Sequence, residues 1–230
     1  MRNPLTPFIL LMTISLISGA PAYLSPQISE AENMVIKLPE PKYDSDSSLE
    51  ENLVRRRSVR DYTDEQLTME EVSQLLWAAQ GMTSDRGFRT APSAGALYPL
   101  EVYLIAGHVK GLTSGVYHYN PKKHELLMVV EGDMRSRLVG AALGQSPVKD
   151  GAVSLVFTGV YGRITGKYGD RGIRYVLIEI GHAAQNVCLQ ATAMGLGSVT
   201  IGAFSDQEVG RLLNLSEGEE PLYIIPIGRQ

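Results

Sequence analysis

Arg55-Arg56-Arg57-Ser58-Val59-Arg60 is the stretch on which the reading of this 230-residue chain turns. Three adjacent arginines repel one another, and an anion relieves that repulsion. Guanidinium groups grip phosphate through a planar fork of donors, and a serine hydroxyl adds one more. In extended backbone, residues two apart face the same side. Arg56, Ser58 and Arg60 can therefore converge on one phosphate, with Arg55 and Arg57 pointing elsewhere. A solvated basic patch is the competing reading, and spacing alone does not separate the two.

Working outward, Ser48 and Glu51 make an S-x-x-E capping box ahead of the arginines and predict a short helix from Leu49 to about Arg55. Thr68 and Glu71 make a second box, with Leu67 stapled onto Val72. Val72, Leu75, Leu76 and Ala79 recur at helical spacing until Gly81. Residues 82–99 read as loop. Glu101–Ala106 reads as a strand, and Val116–Tyr119 with Leu126–Val130 as a hairpin. Asp133 can cap a helix to about Leu143. Val153–Val160 is an apolar, β-branched run suited to a buried strand. Ile173–Met194 is the longest helical pattern, stopped by Gly195. Ser205 and Glu208 give a third box, with Phe204 and Val209 as its staple, and Leu222–Ile227 is a last strand. Strands and helices without regular alternation indicate an α+β fold rather than a doubly wound sheet.

Composition narrows the classes. The formal charge of −4, without a long basic run, argues against a nucleic-acid partner. The single cysteine, Cys188, excludes internal disulfides and the thiolate-rich zinc and iron–sulfur frameworks. It sits in an apolar helical pattern as a small core residue. His108, His118 and His124 show no metal-ligand spacing, so no metal site is expected. Residues 1–22 combine Arg2, an apolar run from Phe8 to Ile17 and small residues at Ala20 and Ala22. They read as a secretory signal or an uncleaved anchor, which places the protein outside the cytoplasm; an ordinary apolar segment of a cytoplasmic protein is the alternative. The run is short for a membrane span. Residues 23–47 read as an exposed linker or arm, with the folded domain at 48–230.

Three more constellations can carry chemistry. Pro92-Ser93-Ala94-Gly95-Ala96-Leu97-Tyr98-Pro99 has small residues that let a flat ring or a backbone approach, and prolines that stiffen its ends. Gly195-Leu196-Gly197-Ser198-Val199 follows the long helix and can expose backbone N–H groups. It is no dinucleotide fingerprint, because the strand and helix stand in the wrong order. Glu179, His182 and Asn186 share one helix face. A di-iron site needs a second Glu-x-x-His, which is missing, so these read as a polar stripe across a subunit interface.

Arg56–Arg60, Pro92–Pro99, Gly181-His182-Ala183-Ala184-Gln185-Asn186 and Gly195-Leu196-Gly197, in that order, resemble the nitroreductase-like flavoproteins. The pattern is most similar to the SagB/ThcOx-type dehydrogenase branch, which includes oxidases that turn thiazolines and oxazolines in peptides into aromatic azoles. The resemblance spans about residues 49–229. It implies a central, mostly antiparallel sheet with helices on both sides, and FMN bound at a homodimer interface. It implies that Arg56, Ser58 and Arg60 hold the FMN phosphate end, with Arg229 as a further contact. Pro92, Ser93 and Gly95 would approach from the partner subunit. Gly195, Gly197 and Ser198 would lie near the reactive edge of the ring, where backbone N–H groups stabilise developing negative charge. An adjacent Lys-Tyr pair serves proton removal in the azoline oxidases, which singles out Lys167 and Tyr168 as catalytic candidates; a glycine-rich loop with an exposed lysine is the plainer reading. The implied substrate is a small molecule or a modified peptide. Nitro or quinone reduction with NAD(P)H, or a non-catalytic scaffold in a modification complex, are the alternatives.

Overall fold

Val153–Val160 forms a strand whose first seven residues are all buried. The computed structural model describes Met1 and residues 34–230, so the signal-like segment lies outside the described residues apart from Met1. The strands are β1 (Val35–Lys37), β2 (Leu100–Ala106), β3 (Gly115–Asn120), β4 (Glu125–Glu131), β5 (Val153–Val160), β6 (Leu196–Ser198) and β7 (Glu219–Arg229). They form one sheet in the order β1-β4-β3-β2-β5-β7-β6, with every neighbouring pair antiparallel. The helices are α1 (Leu49–Arg55), α2 (Met69–Gln80), α3 (Arg135–Ala141), α4 (Ser146–Asp150), α5 (Gly162–Tyr168), α6 (Arg171–Ala193) and α7 (Asp206–Leu213).

The period-2 alternation of the central strands builds two cores. Val102, Leu104, Leu155, Phe157 and Ile225 pack with the apolar faces of α2, α5 and α6. Tyr103, Ile105, Val156 and Ile224 pack with α3, α4 and α7 on the other side. The expected sheet with helices on both faces is what the chain forms. Capping explains where helices begin. The Ser48 hydroxyl accepts from the Glu51 N–H, Thr68 and Glu71 complete a reciprocal box, and Ser205 accepts from Glu208.

Several boundaries differ from expectation. The sheet begins at Val35, inside the stretch read as an arm, and Leu38 behind it is buried. Ahead of the 48–230 boundary, three residues are enough to close the sheet edge, too few for a periodicity to show. Helix α5 occupies the segment read as a glycine-rich loop. Its two glycines, Gly162 and Gly166, mask the pattern, but buried Ile164 anchors it, and Gly172 lets α6 pack close, since a Cβ there would sit 3.1 Å from Ile164. The helix expected to reach Leu143 ends at Ala141; Leu143 turns to φ 57° and α4 follows. Gly195–Val199 is not simply a loop, because Leu196–Ser198 pairs with β7.

The arginine segment runs along that last edge. Ser58 bridges Ser198 in parallel, the Val59 N–H donates to Ser198 O at 2.9 Å, and the Thr63 N–H donates to Arg229 O at 3.0 Å. Tyr62 locks the run, its hydroxyl donating to Val59 O (2.8 Å) and Pro226 O (3.1 Å). Gly197 is what permits the approach, since a Cβ there would sit 2.6 Å from Val59 Cγ1. Gly197→Ala is expected to destabilise the protein by about 1–3 kcal/mol through this overpacking, read as a lowered urea midpoint; an unchanged midpoint contradicts it.

Candidate active site

Helix α1 ends where the arginines begin, so backbone leaves the helix at Arg56 (φ −52°, ψ 123°) and runs on toward β6. Arg55 pairs with Glu51, and Arg57 folds back to donate to Val54 O and Arg56 O. Arg56 and Arg60 have no carboxylate partner among the described residues; Arg60 makes one long bond, 3.4 Å, to Ser58 O. The Ser58 hydroxyl makes no hydrogen bond among the described residues, and Ser58 is exposed. Two unpaired guanidinium groups and a free hydroxyl on one edge make a donor set that fits a phosphate dianion. Cys188 lies behind this edge as a buried thiol. Burial pushes its pKa up, against lowering contributions from Ser198 and Arg56.

Arg60 also lines a cavity of about 250 Å³ with Gln145, Ser146, Pro147, Val199, Thr200 and Ile201. Sequence reasoning missed Gln145, Ser146 and Thr200, which carry no motif; the turn between α3 and α4 is what brings Gln145 and Ser146 here. Two expectations for this side change. Arg229 is held by Glu71 (2.9 Å) and Glu65 (3.5 Å), so its guanidinium ties β7 to the start of α2 instead of standing free for phosphate. The Gly195 and Val199 N–H groups already donate to Thr192 O and Pro226 O, so they are not free to meet negative charge, and the cavity is lined from Val199 onward.

The second group of expected residues gathers elsewhere. Gly95 takes φ 64°, and Ala96 and Tyr98 take φ 53° and 46°, a strained run for non-glycine residues. Arg163 of α5 holds it by donating to Tyr98 O at 3.2 Å, and Arg89 stacks 4.5 Å over the Tyr98 ring. The Tyr98 N–H donates to Ser93 Oγ at 2.9 Å. Lys167 and Tyr168 converge on Gly95: a Cβ there would meet Tyr168 Oη at 2.7 Å and Lys167 Nζ at 3.0 Å. Gly95 is thus the opening over which the pair meets. Lys167 is exposed on this chain.

Pro92, Ser93 and Ala94 line a different cavity, of about 230 Å³, with Tyr175, Ile178, Glu179 and His182 of α6. The two cavities share no residue. Glu179 is 2% exposed, and neither of its oxygens has a hydrogen-bond partner among the described residues. Burial pushes its pKa up to about 7, against lowering contributions from Ser93 and Arg89.

A family model for the nitroreductase family matches residues 53–229, most of the chain. The chain belongs to the nitroreductase family. It is 44% identical over 199 residues to MJ1384 of Methanocaldococcus jannaschii, which bears a provisional nitroreductase name; the match covers 86% of this chain and 98% of that one. A crystal structure of a provisionally named nitroreductase from Ralstonia eutropha is 30% identical, covers 85% of this chain and 89% of its own, and has a TM-score of 0.74. A chain of the Escherichia coli microcin synthetase McbBCD complex, solved with truncated pro-MccB17 bound, is 26% identical with coverage of 94% and 84% and a TM-score of 0.70. This nitroreductase-family chain is an oxidoreductase by that membership. Arg60 of the arginine edge and Pro92–Ala94 ahead of Gly95 line different cavities of this chain.

Proposed function

We propose that the chain is an FMN-dependent oxidoreductase of the SagB/ThcOx dehydrogenase type, moving a hydride between a small or peptide-derived substrate and FMN. The observation that carries this reading is the convergence of Lys167 Nζ and Tyr168 Oη over Gly95, because dehydrogenation needs a base for the proton beside the departing hydride. Nitroreductase-family members generally bind FMN, and the donor set of Arg56, Ser58 and Arg60 fits its phosphate. When bound, the flavin supplies the hydride acceptor; the chain's residues hold it and handle the proton. The structural likeness to a peptide-modifying synthetase supports a modified-peptide substrate.

That these two cavities share no residue supports a homodimer in which each subunit completes the other's site. The exposed apolar stripe of Ile173, Leu177 and Ile178 on α6 supplies a surface for it. That second copy is then the means of covering Lys167.

A second reading, NAD(P)H-driven reduction of nitro compounds or quinones, is favoured by the exposure of Lys167 on one chain. Anaerobic mixing of the FMN-loaded protein with a thiazoline-containing peptide on one hand, and with NADPH on the other, separates the two. Bleaching by the thiazoline peptide is the expected result; bleaching by NADPH alone replaces the first reading with the second.

A further inference from the structure

Four of the five buried side-chain atoms without a hydrogen-bond partner among the described residues belong to Gln80, Arg89 and Glu179. Gln80 Oε1 accepts from Arg89 Nη1 at 2.9 Å, leaving Gln80 Nε2 and Arg89 Nε without acceptors and both Glu179 oxygens without donors. Buried polar groups are normally satisfied, and a concentration of exceptions marks a place where something is exchanged or held. Glu179 also lines the cavity shared with Ser93, Tyr175 and His182, and His182 is exposed at its rim.

That cavity is continuous in packing with the Lys-Tyr pair. Tyr168 packs edge-on against Tyr175, centroids 5.2 Å apart, and Lys167 Nζ stands 5.3 Å from the Tyr168 centroid. Ser93 and Ala94 line the cavity, and Gly95, the next residue, receives the tips of Lys167 and Tyr168. A cavity of about 230 Å³ that presents Ser93, Tyr175, Glu179 and His182 among apolar neighbours has room for water and polar partners to hold it.

We propose that Glu179 is a relay residue behind the Lys167–Tyr168 pair, accepting through its cavity the proton the pair takes from substrate and passing it to solvent beside His182. The inference rests on the dehydrogenase reading above. Its balance is simple. A bound flavin would supply the acceptor for the substrate's hydride; the substrate's proton goes to the base, the base returns to its starting state by giving that proton to the Glu179 carboxylate, and the carboxylic acid gives it to water. Glu179 acts through the pair and touches no substrate, so it is a positioned relay and not itself a catalytic residue.

The groups facing Glu179 suit the role. Arg89 and Ser93 from the loop favour its charged form, while burial opposes it more strongly. Tyr175 and His182 flank it on its own helix, Tyr98 lies beneath Arg89, and Lys167 and Tyr168 belong to α5. A carboxyl that titrates near neutrality both accepts and releases a proton readily.

Carbon-13 labelling of the glutamate side-chain carboxyls of the full chain, with and without FMN, tests this without turnover. The signal lost in Glu179→Gln identifies the residue; Glu179→Asp, which displaces that signal, serves if the glutamine variant does not fold. The expected titration midpoint is about 7, shifted by at least about half a pH unit in Lys167→Met and in Tyr168→Phe because coupled sites share their titration. A control, Lys149→Met on α4, should leave it unmoved. A midpoint in the ordinary carboxylate range, or one indifferent to both α5 variants, overturns the relay. The reading beneath it fails on another signal: unchanged turnover in Lys167→Ala removes the base, and the relay with it.

Discussion

The Arg56→Ala/Arg60→Ala double variant is expected to lose FMN while keeping its fold. Neither arginine has a carboxylate partner among the described residues, so removing them breaks no ion pair there. Each charge-assisted hydrogen bond to a phosphate contributes about 1.5–3 kcal/mol. Losing both arginines therefore weakens FMN binding by roughly 10²–10⁴-fold, at about tenfold per 1.4 kcal/mol. Fluorescence titration of the apoprotein with FMN reads the change, and the urea midpoint should hold. Arg229→Ala gives the contrast. Its guanidinium binds Glu71 and Glu65, so its loss should lower stability and leave FMN affinity near wild type. The reverse outcome, affinity falling with Arg229 and holding without Arg56 and Arg60, would move the phosphate site.

Lys167→Ala is expected to slow substrate oxidation by about 10²–10⁴-fold, the usual contribution of a positioned acid–base group. FMN content should be unchanged, because Lys167 belongs to the Gly95 surface and not to the arginine edge. Tyr168→Phe should slow the same step by less, since it removes the hydroxyl but keeps the ring that packs on Tyr175. Stopped-flow bleaching of the flavin by a thiazoline-containing peptide measures both. A variant that bleaches at the wild-type rate rules Lys167 out as the base.

Much of this architecture was legible because it is written in local signals. The capping residues Ser48, Thr68 and Ser205 mark helix starts with short polar patterns, and the structure shows their hydrogen bonds. The β-branched run 153–160 announced the strand that the sheet is built around. Features that depend on tertiary contact were not legible. Helix α5 is hidden by Gly162 and Gly166, and packing of Ile164 holds it in place of propensity. The Glu71–Arg229 pair joins residues 158 apart in sequence, and no spacing rule links them. Gln145 and Ser146 reach the arginine-edge cavity only through the turn that α3 and α4 make. Glu179 stood out by its helix face, but that its oxygens are buried without partners among the described residues is a property of the fold.

The same distinction applies to the site. Alternation along extended backbone places residues 56, 58 and 60 on one side, yet only the β6 edge explains why they stay there. Ser58 bridges Ser198, Tyr62 pins the run to Pro226, and Gly197 gives Val59 its space. The path of the arginine segment is thus a product of the sheet's last strand as much as of its own sequence.

Equilibrium titration of the purified full chain with FMN, after removal of any flavin it carries, tests the central claim most directly. Saturable, equimolar binding that yields a yellow protein, bleached by dithionite and restored by air, is the result predicted. A colourless protein that takes up no FMN, although folded, would contradict the account.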